Sequence, residues 1–138
     1  MAERDGLMDK QGIAALFAHL EHGDGAKFFE HVADDVDWTV EGTHPLAGRY
    51  YSKKAFLAGT FEKLARVLPD GAQLSVETVL IDGDWAVVEL HSNATARNGM
   101  RFANRYCWLL RFADRRIVEV RAYLDSGLVA ELFRQNPI

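Results

Sequence analysis

The chain has 138 residues, of which 49% are hydrophobic and 26% are charged, which predicts one globular domain and excludes a disordered or fibrous protein. The formal net charge of -4 and the scattered basic residues argue against a nucleic-acid partner, because phosphate binding needs clustered lysine and arginine. The apolar runs are only a few residues long, far short of the roughly 20 that a membrane span requires, so we expect no membrane partner.

Cofactor and disulfide signals are weak. The single cysteine, Cys107, leaves no partner for an internal disulfide, which favours a reducing, cytoplasmic location. The polar residues 1–6 do not resemble the apolar core of a signal peptide. His19 and His22 share a helix face, but no cysteine or carboxylate completes a usual metal-ligand set, and no Gly-rich phosphate loop is present. We expect neither a metal nor another cofactor.

Helical patterns dominate the first half of the chain. Apolar residues at i, i+3, i+4 and i+7 predict an amphipathic helix that ends near Gly23; they are Ile13, Leu16, Phe17 and Leu20. Asp24 is a suitable N-cap for a second helix. The buried face of this helix would comprise Phe28, Phe29 and Val32. The pair Asp34-Asp35 breaks this pattern before a short strand over 36–40.

A loop over 41–48 contains two glycines and one proline, which is typical of irregular backbone. His44, next to Pro45, is expected to face solvent. Ser52 would then cap a third helix. The inner face of that helix would carry four apolar residues, namely Phe56, Leu57, Phe61 and Leu64.

Alternating apolar and polar residues predict an antiparallel sheet in the second half. The expected strands cover 72–81, 85–95, 101–112 and 117–124. The pairs Asp82-Gly83 and Asn98-Gly99 are hairpin signals, and residues 114–116 form a third turn. One face of the first strand would carry Leu74, Val76, Thr78 and Leu80. Ser126 would cap a closing helix.

Helices followed by a four-stranded meander and a terminal helix predict an α+β fold, not alternating βαβ units. A long, curved sheet with helices on one face leaves a cavity between the two layers. We therefore expect a cone-shaped α+β barrel, in which N-terminal helices pack on a curved, mainly antiparallel sheet around a central pocket. One domain would cover residues 1–138.

This element order resembles that of the nuclear transport factor 2-like superfamily, and local motifs resemble its SnoaL-like, ketosteroid isomerase-related branch. A strand with Trp38 precedes a Gly/Pro loop and the sequence Gly48-Arg49-Tyr50. The stretch from Ile117 to Asp125 is similar to the family's last strand, which ends in aspartate. The resemblance covers nearly the whole chain. It implies a homodimer and a cofactor-independent isomerase, cyclase or lyase that acts by proton transfer on a small hydrophobic carbonyl compound.

Two catalytic sets known on this fold are incomplete here. Limonene epoxide hydrolase combines an Arg-x-Asp pair on a middle strand with the last-strand aspartate, whereas the corresponding stretch here is His91-Ser92-Asn93. The base of ketosteroid isomerase would fall near Thr39, with Glu41 two residues on. The alternative is therefore a non-catalytic ligand-binding or dimerisation module. Its copies would pair through an outer sheet face lined by Arg101, Arg105, Arg111 and Arg121.

The predicted catalytic residues are Asp125 and His91. SnoaL-like cyclases use an aspartate in the region of Asp125 for proton transfer, and burial in a pocket would raise its pKa. Alternatively, Asp125 caps the last helix. Histidine is the usual acid/base side chain near neutral pH, and His91 could pair with Asp125. The alternative for His91 is an outer-face position beside Glu89.

Polar and aromatic residues on the strands are the predicted substrate contacts. Asn104, Tyr106 and Trp108 alternate along one strand, and the first two could donate hydrogen bonds to a carbonyl or enolate oxygen. Alternatively, they belong to an ordinary core in which the polar groups satisfy each other. The remaining candidates surround the pocket and its covering loop; they are Trp38, Glu41, Tyr50, Asn93 and Tyr123.

Overall fold

The computed structural model describes residues 9–138; the segment 1–6, in which we expect no signal peptide, lies outside them. The fold opens with two helices, α1 (Lys10–Glu21) and α2 (Gly25–Phe29). The side chains of Asp9 and Asp24 accept hydrogen bonds from the amides of the following first turns, so both residues are N-caps. As predicted, α1 buries Ile13, Leu16, Phe17 and Leu20.

The first strand is longer than predicted. β1 covers Val32–Val40, so Val32 belongs to a strand and not to the buried face of α2. The exposed pair Asp34-Asp35 does not end the strand, because the pairing of β1 with the last strand merely shifts register between Val32 and Asp37. A short strand that the sequence did not predict, β2 (Gly48–Tyr50), pairs antiparallel with the end of β1.

The expected third helix is divided in two, α3 (Lys53–Gly59) and α4 (Phe61–Val67). Thr60 leaves the helical conformation, with φ -131° and ψ -78°, and its hydroxyl donates to the carbonyl oxygen of Phe56 at 2.7 Å. A Cβ on Gly59 would lie 2.5 Å from the Tyr50 ring, so a glycine is required at this close approach. The break makes Phe61 the first residue of a separate helix.

The second half forms the predicted meander. Its strands are β3 (Leu74–Asp82), β4 (Trp85–Ser92), β7 (Arg105–Ala113) and β8 (Arg116–Leu124). Two short strands, β5 (Ala94–Thr95) and β6 (Arg101–Phe102), form a separate ribbon. The large sheet has the order β2-β1-β8-β7-β4-β3. Since β1 is parallel to β8 and the other pairs are antiparallel, the sheet is mainly antiparallel, as predicted.

The strands expected over 85–95 and 101–112 are each interrupted. The amide of Ser92 donates to the carbonyl oxygen of Asn104 at 2.9 Å, and the amide of Asn104 donates to the Ser92 hydroxyl at 2.8 Å. This reciprocal bonding joins the two interruptions and lets the β5–β6 ribbon leave the plane of the main sheet.

A bulge reverses the faces of β3. Its pairing with β4 shifts register between Val76 and Thr78. Beyond the shift, Val79 and Ile81 pack on the core, whereas Leu80 is 55% exposed. The predicted common face of Leu74, Val76, Thr78 and Leu80 is therefore wrong beyond Val76, because one extra residue exchanges the two faces of a strand.

The chain closes with α5 (Ser126–Gln135), whose N-cap is Asp125 and not Ser126. The core consists of two clusters. One packs α1, α2 and α3 on the inner face of the sheet. The other lies under α5 and includes Leu46, Val67, Phe102 and Val129.

Candidate functional site

An apolar cavity of about 50 Å³ lies between the helices and the inner face of the sheet, where the two core clusters meet. The residues that define its chemistry and its limits are Trp38, Phe56, Phe61, Ala72, Tyr106 and Trp108. This volume holds a few water molecules and is smaller than the roughly 300–1,000 Å³ of ordinary ligand pockets. The predicted pocket is thus present but narrow, and a larger ligand requires lining side chains to move.

Aromatic packing fixes the sheet side of the cavity. The ring of Trp38 stacks on Phe56 with centroids 3.8 Å apart and meets Trp108 nearly at a right angle, with centroids 5.4 Å apart. Trp108 in turn contacts the ring of Tyr106 at 6.4 Å. Alternation along β7 turns Tyr106 and Trp108 inward, as the sequence predicted.

Tyr106 supplies a hydrogen-bond donor to this wall. Burial raises the pKa of its phenol to about 12, and the nearby Ser92 hydroxyl opposes this shift only in part. The phenol therefore keeps its proton at neutral pH and can donate to an oxygen in the cavity.

Trp38, which also lines the cavity, carries an unpaired donor. It is fully buried, and its indole Nε1 has no hydrogen-bond partner within residues 9–138. Leaving a buried N–H unpaired costs about 1–3 kcal/mol. An acceptor oxygen that reached this nitrogen would remove that cost.

Acid/base groups are missing from the lining. Among the described residues, those that line the cavity include no carboxylate, imidazole or amine. The hydroxyl of Thr60 also reaches the lining but donates to Phe56. The cavity can therefore hold an apolar molecule and polarise its oxygen, while any proton must pass to water.

The two predicted catalytic residues lie elsewhere. Asp125 is exposed, and its carboxylate accepts a hydrogen bond from the amide of Leu128 at 3.2 Å, which makes it the N-cap of α5. His91 is on the outer face, where Nδ1 lies 2.8 Å from Oε2 of Glu77. The structure gives each residue a different partner, so the predicted Asp125–His91 pair is not formed.

The side chains of the two candidate asparagines already have hydrogen-bond partners: backbone groups for Asn104 and an arginine for Asn93. Asn104 is 1% exposed; its side-chain oxygen accepts from the amides of Arg105 and Asp125, at 2.7 and 3.0 Å, and its side-chain nitrogen donates to the Asp125 carbonyl oxygen at 3.2 Å. It thereby fixes the end of β8. Asn93 is exposed, and its side-chain oxygen accepts a 2.6 Å hydrogen bond from Arg101. Neither residue lines the cavity.

The remaining candidates also lie outside the lining. The hydroxyl of Tyr50 donates to the carbonyl oxygen of Leu46 at 2.9 Å, and burial raises the pKa of this phenol. Tyr123 is 44% exposed. The amide of Glu41 donates to the Ala122 carbonyl oxygen at 2.9 Å, so Glu41 joins the loop to β8. Of the predicted contacts, the cavity brings together Trp38, Tyr106 and Trp108.

His44 holds the covering loop from inside. The prediction that it faces solvent is wrong, since it is only 7% exposed. Its Nδ1 accepts from the amide of Leu46 at 3.1 Å, so its proton is on Nε2, which lies 3.0 Å from the Glu41 carbonyl oxygen. Burial lowers the pKa of this imidazole. The neutral ring closes the loop that brings Leu46 onto the cavity.

Sequence reasoning gave no site role to Thr60, Phe61, Ala72 or Phe102, all of which line the cavity. A usable signal was the Gly59-Thr60 pair, because both residues are poor helix formers within an otherwise helical pattern. Within residues 9–138, no three potential ligands are grouped closely enough for a metal ion. None of the helices described there is long and apolar enough to span a membrane.

The sequence of the chain matches a known family and two curated proteins. Residues 13–120 match the family described as a SnoaL-like domain. The chain is 31% identical over 130 residues to the dimerizing cyclase phiC of a fungal species (strain ATCC 74256), a match that covers 91% of this chain and 57% of that protein. It is 29% identical over 115 residues to the dimerizing cyclase tstC of Talaromyces stipitatus, covering 80% and 51%. The chain thus spans about half the length of these curated relatives.

Solved structures show the same fold. A nuclear transport factor 2-like protein from Burkholderia thailandensis superposes with a TM-score of 0.76 at 24% identity, covering 88% of this chain and 93% of that one. At this identity the likeness concerns the fold alone. The cone of helices on a curved sheet is therefore shared with solved proteins, as the element order predicted.

Proposed function

Because the chain belongs to the SnoaL-like family, within the nuclear transport factor 2-like superfamily, we propose that it is a cofactor-independent enzyme of cyclase or isomerase type acting on a small, hydrophobic carbonyl compound. The observation that carries the proposal is the apolar cavity lined by the Tyr106 phenol and by Trp38, whose indole N–H is unpaired within residues 9–138. The two curated relatives, both named dimerizing cyclases, support the cyclase type.

The proposed chemistry uses the donors on a developing oxyanion. When a C–H bond next to the substrate carbonyl breaks, the proton leaves to water and the electron pair forms an enolate. Tyr106 donates to the oxygen that gains the charge, in an apolar surrounding where such a bond is strong. The enolate carbon then attacks the carbon of a second carbonyl group of the same substrate: the new carbon–carbon bond forms as the π bond of that carbonyl breaks, and its oxygen takes a proton back from water. Confinement supplies the alignment.

We assign neither Asp125 nor His91 a role in this reaction. The carboxylate of Asp125 is occupied by the first turn of α5, and His91 faces away from the cavity beside Glu77. Tyr106 and Trp38 keep the substrate-binding roles predicted for them, and Tyr106 gains the stabilisation of the enolate.

The test is the exchange of α-protons of 2-tetralone in deuterium oxide, followed by proton NMR. The protein should accelerate the exchange, and Tyr106→Phe, which removes one hydroxyl, should lower the acceleration by about 100-fold, as removal of an oxyanion donor does. Asp125→Asn is the matched control, since asparagine also caps helices, and should retain the acceleration. Loss of the acceleration in Asp125→Asn with retention in Tyr106→Phe would overturn the assignment.

A non-catalytic binding module is the second candidate, and one observation favours it: the described lining residues include no general base. This alternative predicts that 2-tetralone binds, with a changed carbonyl ¹³C shift, while its exchange stays at the rate of the buffer. Binding without acceleration would therefore replace the enzyme by a binding protein with the same cavity.

We further propose that two copies pair through the outer sheet face. Leu80 and Tyr123 are exposed there, at 55% and 44%, and Tyr123 lines a groove together with the ion-paired residues Glu77 and Arg105. Such a mixture of apolar and complementary charged groups suits a self-complementary interface. Sedimentation velocity should give a dimer that Tyr123→Lys weakens. A monomer at every concentration tested would contradict the proposal.

We further propose that the protein is cytoplasmic. Cys107, the sole cysteine of the chain, is a free, half-buried thiol, and burial together with the nearby Glu89 raises its pKa, so it is a poor nucleophile. Fractionation of cells that produce the chain should recover it with cytoplasmic markers. Recovery with an oxidising compartment would contradict this placement.

A further inference from the structure

A second cavity adjoins the first. It has a volume of about 140 Å³ and lies between the α1–α2 turn and the segment 70–73. Phe61, Ala72 and Leu74 line both cavities. We propose that the second cavity extends the ligand site and that Phe61 and Ala72 determine how long a ligand the site accepts. This inference rests on the proposed function, since it concerns the same ligand.

Phe61 is the movable side of the boundary. Its half-buried ring contacts Phe29 edge to face, with centroids 5.3 Å apart, and contacts Phe56 at 5.8 Å. These are apolar contacts only, so the ring can rotate without breaking a hydrogen bond. No side-chain bond caps α4 at its start, because the hydroxyl of Thr60 is bonded to Phe56. Phe61 is thus the first residue of a helix that lacks a side-chain N-cap.

Ala72 is the fixed side of the boundary. The amide of Asn93 donates to its carbonyl oxygen at 3.2 Å. Its neighbours Gly71 and Gln73 both have positive φ, 78° and 51°, a conformation that the surrounding structure must hold in place for a non-glycine residue. The residues shared by the two cavities therefore include a benzyl group that can turn and a methyl group on a fixed backbone.

The lining of the second cavity indicates what would enter it. Leu20 and Leu74 form its apolar wall, Gly23 and Gly25 leave room, and Asp70 and Gln73 are also in its lining. Among the described residues that line it, none is positively charged, so an anionic group is disfavoured. The occupant that fits is the neutral, unbranched apolar tail of a carbonyl compound whose oxygen lies near Tyr106.

The two boundary residues allow opposite changes to the same site. Phe61→Ala removes the ring and should join the cavities. Ala72→Leu adds three carbon atoms to the fixed wall and should close the passage. Phe133→Ala is a matched control, because Phe133 is 9% exposed and lines neither cavity.

The experiment measures the affinity of each protein for 2-alkanones from 2-butanone to 2-dodecanone by NMR titration. Each buried methylene should raise the affinity about fourfold. For the wild type we expect this rise to weaken once the chain reaches Phe61. The rise should continue to longer ketones in Phe61→Ala, stop at shorter ones in Ala72→Leu, and match the wild type in Phe133→Ala.

The outcomes separate this inference from the function on which it depends. If no ketone binds the wild type, the proposed function and the second cavity's role both fail. If ketones bind but the dependence on chain length is the same in all four proteins, only the role of Phe61 and Ala72 is overturned. If Phe61→Ala does not fold, Ala72→Leu decides the question by itself, since equal weakening of every ketone would contradict a passage.

Discussion

The two faces of the six-stranded sheet use opposite chemistry. The inner face packs aromatic and aliphatic side chains, such as Trp38 and Leu110, that are fully buried. The outer face is crossed by ion pairs between strands. Arg49 donates two hydrogen bonds to Asp37, at 3.0 and 2.6 Å, and this bonding lowers the pKa of the Asp37 carboxyl. The carboxylate of Glu119 accepts hydrogen bonds from both Arg111 and Arg121.

The difference teaches where stability and function are concentrated. Water also screens the ion pairs of the outer face, so single pairs contribute little. On the inner face a single donor, the Trp38 indole N–H, has no partner in the described part of the chain. An unpaired donor inside an apolar wall is an exception that a ligand can explain.

Neighbouring leucines of β7 give the largest expected contrast. Leu110 is fully buried on the inner face, whereas Leu109 is half-buried on the outer face. Leu110→Ala should lower the free energy of unfolding by about 2–5 kcal/mol, because a cavity remains. Leu109→Ala should cost about 1 kcal/mol or less, since water fills the space. Urea unfolding measures both, and equal losses would contradict the assignment of faces.

Substitution of Asp125, at the end of β8, should have the next largest effect on the free energy of unfolding. Asp125→Ala should lower the free energy of unfolding by about 1 kcal/mol, the usual cost of losing an N-cap. Asp125→Asn should cost only a small part of that, because an asparagine oxygen also accepts from the amide of Leu128. Thermal unfolding of the two variants measures the difference. An increase in stability in both would instead indicate a strained, buried carboxylate.

His44 extends the comparison to pH. Burial lowers the pKa of this imidazole below its ordinary 6.5, so the unfolded chain binds a proton that the folded chain resists. The stability contributed by the neutral ring is therefore complete above pH 6.5 and is lost as pH falls through 6.5 toward the folded-state pKa. Urea unfolding between pH 8 and pH 5 should show a shallower decline in His44→Asn. Identical declines would show that His44 is not the group involved.

The outer face should give the smallest effect. Glu77 contacts His91 at 2.8 Å and Arg105 at 3.2 Å, but all three side chains are at least one-third exposed. Glu77→Gln should lower the free energy of unfolding by less than about 1 kcal/mol, and added salt should reduce the difference further. A loss as large as that of Leu110→Ala would contradict the contrast between the faces.

Much of the fold could be predicted because its signals are local. The spacing of Ile13, Leu16, Phe17 and Leu20 and the hairpin pair Asp82-Gly83 depend only on near neighbours in the chain. The bulge in β3 could not be predicted in the same way, because it depends on pairing with β4. The break at Thr60 left a local signal in the Gly59-Thr60 pair, but the close approach of Gly59 to the Tyr50 ring joins two separate elements and has no such signal.

The site was predicted only in part for a related reason. Period-2 alternation groups His91 with Glu89 and Trp85 on one face of β4, but it does not say which face meets the helices. For Tyr106 and Trp108, the apolar residues on the same face of the strand indicated that this face points inward. The sequence allowed two roles for Asp125, because an aspartate before a helix looks the same whether it caps the helix or faces a pocket.

The most direct test of the central claim is the carbonyl ¹³C shift of labelled 2-tetralone bound to the protein. If the cavity with Tyr106 and Trp38 is the ligand site, the bound resonance should lie downfield of its position in an apolar solvent. It should move upfield in Tyr106→Phe and Trp38→Phe, and stay unchanged in Asp125→Asn and His91→Asn. A shift that is insensitive to Tyr106 and Trp38 but altered by Asp125→Asn would contradict the account and place the carbonyl at the end of β8.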